Sequence, residues 1–525
     1  MPPRPPLSGA ADPSPDAFPR PIWGSSAAGV VMLVALLSGI RFWAAGALGL
    51  AADEAYYWIW SRNLALGYFD HPPMVAVLIR ASTAVFGDSE LGIRWIAVLL
   101  GALASLGVWR LVFRLTGSMR AALAGAALVQ GTLFLGAGSM LVTPDTPLVL
   151  FWTLALLALV ELWRTGRGAW WIAIGLAIGL AFISKYTAVF LGLGVLIWLA
   201  VVPELRRWFA SPWTYAGGAV CLAVMAPTLW WNVSAGGASL TKQFGRAVPQ
   251  AFDPRFVPEF VAGQAALLTP LIGLLVLWGL WVVVRDAVRN RAAGEVLLAA
   301  TTLPLVAYLV WYGLFDRVQG NWTACLLPAS ITAAVIGALK LPAWRPARIA
   351  LTISMRGSVV VGVVLGLLVM AHAAWRIVPL AADPTSQLSG WADVAAKLEK
   401  AAVEQGAVAI GVGSYTLNAQ LRYYGSSVPP VVQLNERARY LMEPTPDVAL
   451  LRRGPILVVA ENRREAQVLA ALRARFRSVE RAGSVERHWR MPLIAVFGGS
   501  YVDTLFLFKV ADPIGDGFPD IGPLR

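Results

Sequence analysis

The sequence predicts a polytopic α-helical membrane protein of about eleven transmembrane helices with a small C-terminal α/β domain. Three observations carry that prediction. Charged residues make up only 14% of the 525 residues and hydrophobic ones 58%, whereas soluble domains carry about 25% charged residues. Apolar runs of about 20 residues, enough to span a bilayer, recur as far as residue 379. Beyond residue 381 the runs shorten and alternate between strand-like and helix-like patterns.

Residues 1–25 are proline-rich and aperiodic, and read as a disordered cytoplasmic tail. The run 27–50 is too long and too far from the terminus for an ordinary signal peptide, although "AAGALGLAA" imitates a cleavage site. It is read as an uncleaved first span. Further spans are expected at 92–114, 119–141, 145–163, 168–184, 186–202, 213–231, 260–284, 294–315, 320–339 and 356–379. The two flanking "SKYT" are short and nearly continuous, so this turn also reads as a break within one longer element. Residues 26–380 are thus expected to form a membrane domain and 381–525 a separate α/β domain.

Charge sets the expected orientation. Arg110, Arg114 and Arg120, Arg164 and Arg167, Arg206 and Arg207, and Arg285, Arg289 and Arg291 fall on the same side as the tail. So do Lys340, Arg345, Arg348 and Arg356. The positive-inside rule makes that side cytoplasmic. The expected location is the cytoplasmic (inner) membrane, with residues 381–525 on the periplasmic or extracytoplasmic face. These loops account for the net charge of +13. No basic cluster with a recognition fold accompanies them, so no nucleic-acid partner is expected. The 23 tryptophans suit anchoring in the bilayer interface. Cys221 and Cys325 lie in apolar runs without CxxC spacing, which indicates neither a disulfide framework nor a zinc site.

Six polar segments then share the outer face: "DEAYYW" and "YFDHPP" after the first span, "TPDTP", "SKYT", the loop 232–259, and "FDRVQGNW". Ionisable groups at such depth are costly and usually functional. In a helix over 53–66, Asp53, Tyr56, Tyr57 and Trp60 would share one face, and Glu54, Trp58 and Arg62 another. So aromatic a helix suits the membrane interface, where its rings would hold the lip of a cavity at the lipid surface. Carboxylates at its start are also favourable caps. Pro72 restrains Asp70 and His71 to a turn before the next helix. His71 is open to three roles: phosphate binding, metal ligation or capping. His372 and His488 are not expected to be catalytic. Asp145 stands at the start of a span, as a cap or a site residue. Lys185 is a cation on the outer face against the trend, which suggests an anionic group such as phosphate nearby, or snorkelling. Tyr186 follows it directly. Lys242, Arg246 and Arg255 are further cations, a substrate surface or a solvated loop. Asp316 and Arg317 are expected to pair. Asn321 and Trp322 are suited to hydrogen-bond and stack on a sugar.

In the tail, "GAVAIGVGS", "PPVVQL", "PILVVAEN" and "TLFLFKVA" read as buried strands. "GWADVAAKLEKAAVEQ" and "RREAQVLAALRARF" read as amphipathic helices between them.

With these residues in view, "DEAYYWIW…GYFDHPPM", "TPDTPLVLFW", "SKYTAVFL" and "GNW" resemble the GT-C glycosyltransferases that use polyprenyl-phosphate sugars. That group includes protein O-mannosyltransferases, lipid A aminoarabinose transferases and rhizobial galacturonosyltransferase-like proteins. The resemblance covers about residues 28–340. It implies that Asp53 is the catalytic acidic residue, that Glu54 completes its motif, and that Lys185 lies near the donor phosphate. Asp145 matches an acidic position at the start of a span. Asp70 and His71 fall where aminoarabinose transferases carry a Glu-Lys pair before proline, so His71 stands in place of a phosphate-binding lysine. The outer C-terminal domain is similar in placement to that of the lipid A-modifying members.

The expected chemistry is transfer of a sugar from a polyprenyl-phosphate donor to an envelope glycolipid, glycan or protein, by single displacement with inversion. Asp53 would be the base, with Lys185, His71 and Arg246 neutralising the departing phosphate. Tyr57, Asp70, Asp145, Tyr186, Asn321 and Trp322 would bind substrate. No cofactor is fixed by the sequence, and a divalent metal ion is left open: it has two candidate ligands, Asp70 and His71, and a full site needs more. A lipid-linked sugar transporter or flippase is the alternative. Polar residues confined to one face, with no internal repeat, argue against it.

Overall fold

The computed structural model describes residues 27–245, 251–341, 345–378, 380, 383–489 and 500–523. The proline-rich tail lies outside the described residues. The chain is a multi-pass membrane protein. Among the described residues, eight helices are long and apolar enough to cross a bilayer: Ala27–Ala47, Glu90–Thr116, Asp145–Thr165, Pro212–Ser234, Pro270–Asn290, Ala293–Tyr312, Gly320–Leu339 and Ser354–Trp375. Two bent pairs raise the number to ten. These are Met119–Gln130 with Leu133–Met140, bent by 71°, and Tyr186–Val201 with Pro203–Ala210, bent by 114°.

Two expected spans are built differently. The run read as 168–184 is a 13-residue helix, Trp170–Phe182, about 20 Å long and short of the hydrocarbon thickness. The run read as 260–284 is two helices, Phe256–Leu268 and Pro270–Asn290. They part at Thr269, whose φ is 65°. Pro270 lacks an N–H donor and its ring disfavours helix at the residue before it.

The structure divides into two compact units. The first comprises residues 1–43, 70–75 and 94–368. Its helices approach through small residues, as membrane helices do where burying apolar surface gains little. A Cβ built on Gly175 would lie 1.9 Å from the Gly217 carbonyl oxygen, so the helices Trp170–Phe182 and Pro212–Ser234 touch backbone to backbone. One core of this unit gathers Trp152, Trp198, Leu297 and Cys325. Buried ions are tied off: Lys340 Nζ donates to Asp286 and Glu295, each at 2.7 Å.

The second unit comprises residues 44–69, 76–93 and 369–525. It holds a five-stranded sheet of order β2-β1-β3-β5-β4, with β1 Ala409–Val412, β2 Val431–Gln433, β3 Ile456–Glu461, β4 Phe476–His488 and β5 Tyr501–Pro513. β2, β1 and β3 are parallel, and β5 and β4 add antiparallel to them. The four expected strands and both expected helices are present, the helices as Trp391–Glu404 and Glu465–Arg473. β4 and the helix Tyr415–Tyr424 were not expected. β4 is an edge strand rich in Arg and Glu, so it lacks the apolar run that marks a buried strand.

Candidate functional site

The acidic pair of the first polar segment splits into two roles. Asp53 and Glu54 open the helix Ala52–Arg62. Glu54 is 1% exposed, and its carboxylate accepts the Ala51 N–H at 2.9 Å. This is the returning half of a capping box, which satisfies a donor the helix leaves orphaned. Asp53 is exposed, and its carboxylate accepts the Tyr415 hydroxyl at 3.1 Å. Of the two, Asp53 is the one presented to solvent.

The aromatic residues of this helix face protein, against the expectation that they hold a lip at the lipid surface. Tyr56, Tyr57 and Trp60 are 1%, 5% and 0% exposed. Tyr56 packs against Tyr415 at 5.1 Å and Tyr440 at 5.9 Å between ring centroids. Tyr68 stacks on Trp60 at 4.3 Å, and burial pushes its phenol up to about 12, against a hydrogen bond from Ala65. Ring-on-ring burial of this extent contributes about 0.5–1.5 kcal/mol per pair beyond area. It holds the start of the helix, and hence Asp53, in place.

In the membrane unit, three of the polar segments meet. Lys185 Nζ donates to both oxygens of Asp145 at 2.8 Å, and Asn321 Nδ2 donates to the same carboxylate at 2.7 Å. Asp145 is therefore an ion-pair partner, with no cap hydrogen bond at its helix start. Lys185 is turned inward to it, so it does not snorkel. Tyr186 is buried, and its hydroxyl accepts from Asn232 at 3.0 Å. Trp322 packs on Tyr312 at 5.4 Å.

Two more segments meet at Asp70. Its carboxylate pairs with Lys242, and its carbonyl accepts Gln243 Nε2 at 2.6 Å. His71 is half-buried in the same turn. Arg246 lies outside the described residues. Among the described residues, no group of three or more His, Cys, Asp or Glu could hold a metal ion. Lys242 already places a cation at Asp70, so this turn offers a metal no complete ligand set there. Asp316 and Arg317 do not pair side chain to side chain. Asp316 accepts the Tyr312 hydroxyl at 2.8 Å, and Arg317 reaches Glu259 at 2.7 Å. Arg255 forks onto Asp253 at 2.7–2.8 Å.

Buried cations such as Arg41, Arg94 and Arg487 were not expected from the sequence. Arg41, 3% exposed, donates to Gln130 Oε1 at 2.6 Å and to the Gly136 carbonyl at 2.8 Å. Gln130 in turn donates to Ser105 at 2.8 Å. Hydropathy averaged over the first span hides this residue. Its signal is the charge itself within an apolar run.

Residues 70–231 match the model of the dolichyl-phosphate-mannose-protein mannosyltransferase family. The chain is 29% identical over 295 residues to a lipid A galacturonosyltransferase of Rhizobium johnstonii, covering 56% of this chain and 59% of that one. It is 34% identical over 158 residues to the undecaprenyl phosphate-α-4-amino-4-deoxy-L-arabinose arabinosyl transferase of Pseudomonas aeruginosa, covering 29% and 28%. The matches thus span under two thirds of either relative's length. In structure the chain is similar to ArnT of Cupriavidus metallidurans, solved bound to undecaprenyl phosphate, with a TM-score of 0.64 at 13% identity over 92% of this chain and 98% of that one. It is also similar to the Archaeoglobus fulgidus oligosaccharyltransferase, with a TM-score of 0.53 at 12% identity over 83% and 69%.

Proposed function

We propose that the chain is a membrane glycosyltransferase of the GT-C type, which it resembles in sequence and fold, and that it moves one sugar from a polyprenyl-phosphate donor to an envelope glycolipid of the lipid A class. The observation that carries the reading is the division of the acidic pair. On a GT-C scaffold, Glu54 is spent on capping its helix, while Asp53 is exposed and held by Tyr415. The glycolipid acceptor is supported by the relative named for lipid A, which matches 56% of the chain.

Asp53 takes the proton of the acceptor hydroxyl. The oxygen attacks the anomeric carbon as the bond from that carbon to the phosphate oxygen breaks. The electron pair leaves with polyprenyl phosphate, and one displacement inverts the anomeric centre. Lys185, in the membrane unit, is the candidate for the donor phosphate. An ammonium carries three donors, and Asp145 takes two of them at 2.8 Å, which leaves a third to serve a phosphate oxygen. Asp145 and Asn321 hold that ammonium in position. Asp70, His71, Tyr57, Tyr186, Trp322 and Arg246 remain candidates for substrate contact. The reaction is assigned to the outer face of the cytoplasmic membrane, because the arginine-rich loops mark the opposite side as cytoplasmic.

The test is a comparison of envelope lipids, by mass, from cells with and without the chain. An acceptor glycolipid lighter by one sugar residue and an accumulated polyprenyl-phosphate sugar are expected without it. Identical glycolipid, glycan and protein masses in both would contradict the reading.

A further inference from the structure

The second unit contains a cavity of about 280 Å³ lined by Gly413, Ser414, Tyr415, Thr416, Asn435, Glu436, Arg439, Arg463 and Arg464. Its position follows from the sheet topology. β2, β1 and β3 run parallel, so the loops that leave them open on one edge. The lining residues follow Val412 of β1, Gln433 of β2 and Glu461 of β3. The chain leaves β1 for β2 on one side and takes up β3 on the other. That is a topological switch point, where open sheets with parallel strands bind ligands beyond the carboxyl ends of their strands.

The chemistry of the lining is cationic. Three guanidinium groups stand against one carboxylate, Glu436, which Arg439 pairs with at 2.7 Å. Arg463 reaches Glu461 only at 3.4 Å, and among the described residues Arg464 makes no ion pair. The helix Tyr415–Tyr424 begins at the cavity, adding the backbone donors of its first turn, and Ser414 and Thr416 add hydroxyls 2.6 Å apart. The floor is rigid: Asn435, 1% exposed, accepts from Gln433 at 2.6 Å and donates to the Gly413 carbonyl at 3.0 Å. Guanidinium forks and hydroxyls recognise oxyanions, and with Arg439 and Arg463 each paired to a glutamate, Arg464 leaves one cationic charge to match a phosphate or a carboxylate.

The same wall leads to Asp53. Tyr415 lines the cavity and its hydroxyl donates to Asp53. The Arg439 guanidinium lies 4.4 Å over the Tyr415 ring. We propose that this cavity binds an oxyanion, phosphate or carboxylate, carried on the sugar headgroup of the acceptor, and thereby sets the acceptor hydroxyl at Asp53. The inference rests on the transferase reading. It names the acceptor as an anionic glycolipid and assigns Arg463 and Arg464 to its recognition.

The test uses the full-length protein in lipid nanodiscs. Direct binding of glucose 1-phosphate, glucuronate and inorganic phosphate is measured for the wild type, for the double variant Arg463→Ala/Arg464→Ala, and for Arg473→Ala, an exposed arginine outside the cavity. Wild type and Arg473→Ala should bind alike, and the double variant about tenfold or more weaker, the usual loss for charged hydrogen bonds. In transfer assays the double variant should raise KM for the acceptor by about the same factor and leave KM for the donor and kcat near wild type. The better-binding sugar anion should compete with the acceptor. Equal binding by the double variant overturns the site. Weaker binding with an unchanged acceptor KM, or inhibition that is not competitive with acceptor, overturns its assignment to the acceptor. Binding needs no turnover, so a protein that binds these anions and transfers no sugar would refute the transferase reading instead.

Discussion

The membrane unit and the C-terminal unit treat charge in opposite ways. In the first, Lys185 and Asp145 are 7% and 6% exposed and close on each other, and Arg41 is enclosed among a carbonyl and an amide. In the second, Asp53 is exposed and accepts the Tyr415 hydroxyl, and Arg463 faces solvent. A low-dielectric bundle keeps an ion only where partners offset its desolvation. Its ions are therefore fixed positions for a substrate charge. A solvated unit can leave an acid accessible for proton transfer. The comparison teaches that the exposed carboxylate, rather than the most buried one, is the candidate base.

Substitutions test this contrast. Asp53→Asn should lower the transfer rate by about 10²–10⁴-fold, the usual worth of a positioned general base, with unchanged thermal stability; initial rates and melting curves on the same sample check both. Lys185→Met leaves Asp145 buried without its cation and should cost about 3–5 kcal/mol of stability. Lys185→Met combined with Asp145→Leu should recover most of that stability and remain inactive, which separates the pair's structural contribution from its role at the phosphate. Gly175→Val forces the helices Trp170–Phe182 and Pro212–Ser234 apart and should cost about 1–3 kcal/mol, read as a lower melting temperature in detergent.

Glu54→Gln tests the other member of the acidic pair. Glutamine keeps an oxygen that can accept the Ala51 N–H, so stability should fall by about 1 kcal/mol or less and transfer should persist. Loss of transfer as deep as in Asp53→Asn would break the division between the two acids. The smallest effect concerns pH. Burial would raise the Asp383 carboxyl, but hydrogen bonds from Thr385 and the His372 ring prevail and hold it below the usual carboxylate range. A depressed folded value contributes stability above the unfolded pKa of about 3.9, and that stability is lost as pH falls through the folded value. Asp383→Asn should therefore flatten the acid limb of the melting-temperature profile relative to wild type, while the two curves stay parallel above about pH 5.

The membrane class, the resemblance to GT-C transferases and most of the C-terminal sheet were legible in the sequence. Apolar runs and buried strands announce themselves through local composition. The pairings were not. Asp145 and Lys185 are 40 residues apart, and Asp70 and Lys242 are 172 apart, so neither partner can be read from spacing. Capping by the acidic pair was an expectation, but which acid takes it was not legible, because Ala51 supplies no side-chain half of the motif. The aromatic residues of the first polar segment read as interfacial because their partners, Tyr415 and Tyr440, lie more than 350 residues downstream.

The most direct test is stoichiometric. Purified protein in liposomes is given a polyprenyl-phosphate sugar and a lipid A-type acceptor, and lipids are quantified by mass against time. Sugar transfer predicts one polyprenyl phosphate released for each glycosylated acceptor formed, with both falling together in Asp53→Asn. Donor that crosses the bilayer intact while no acceptor gains mass would contradict the account.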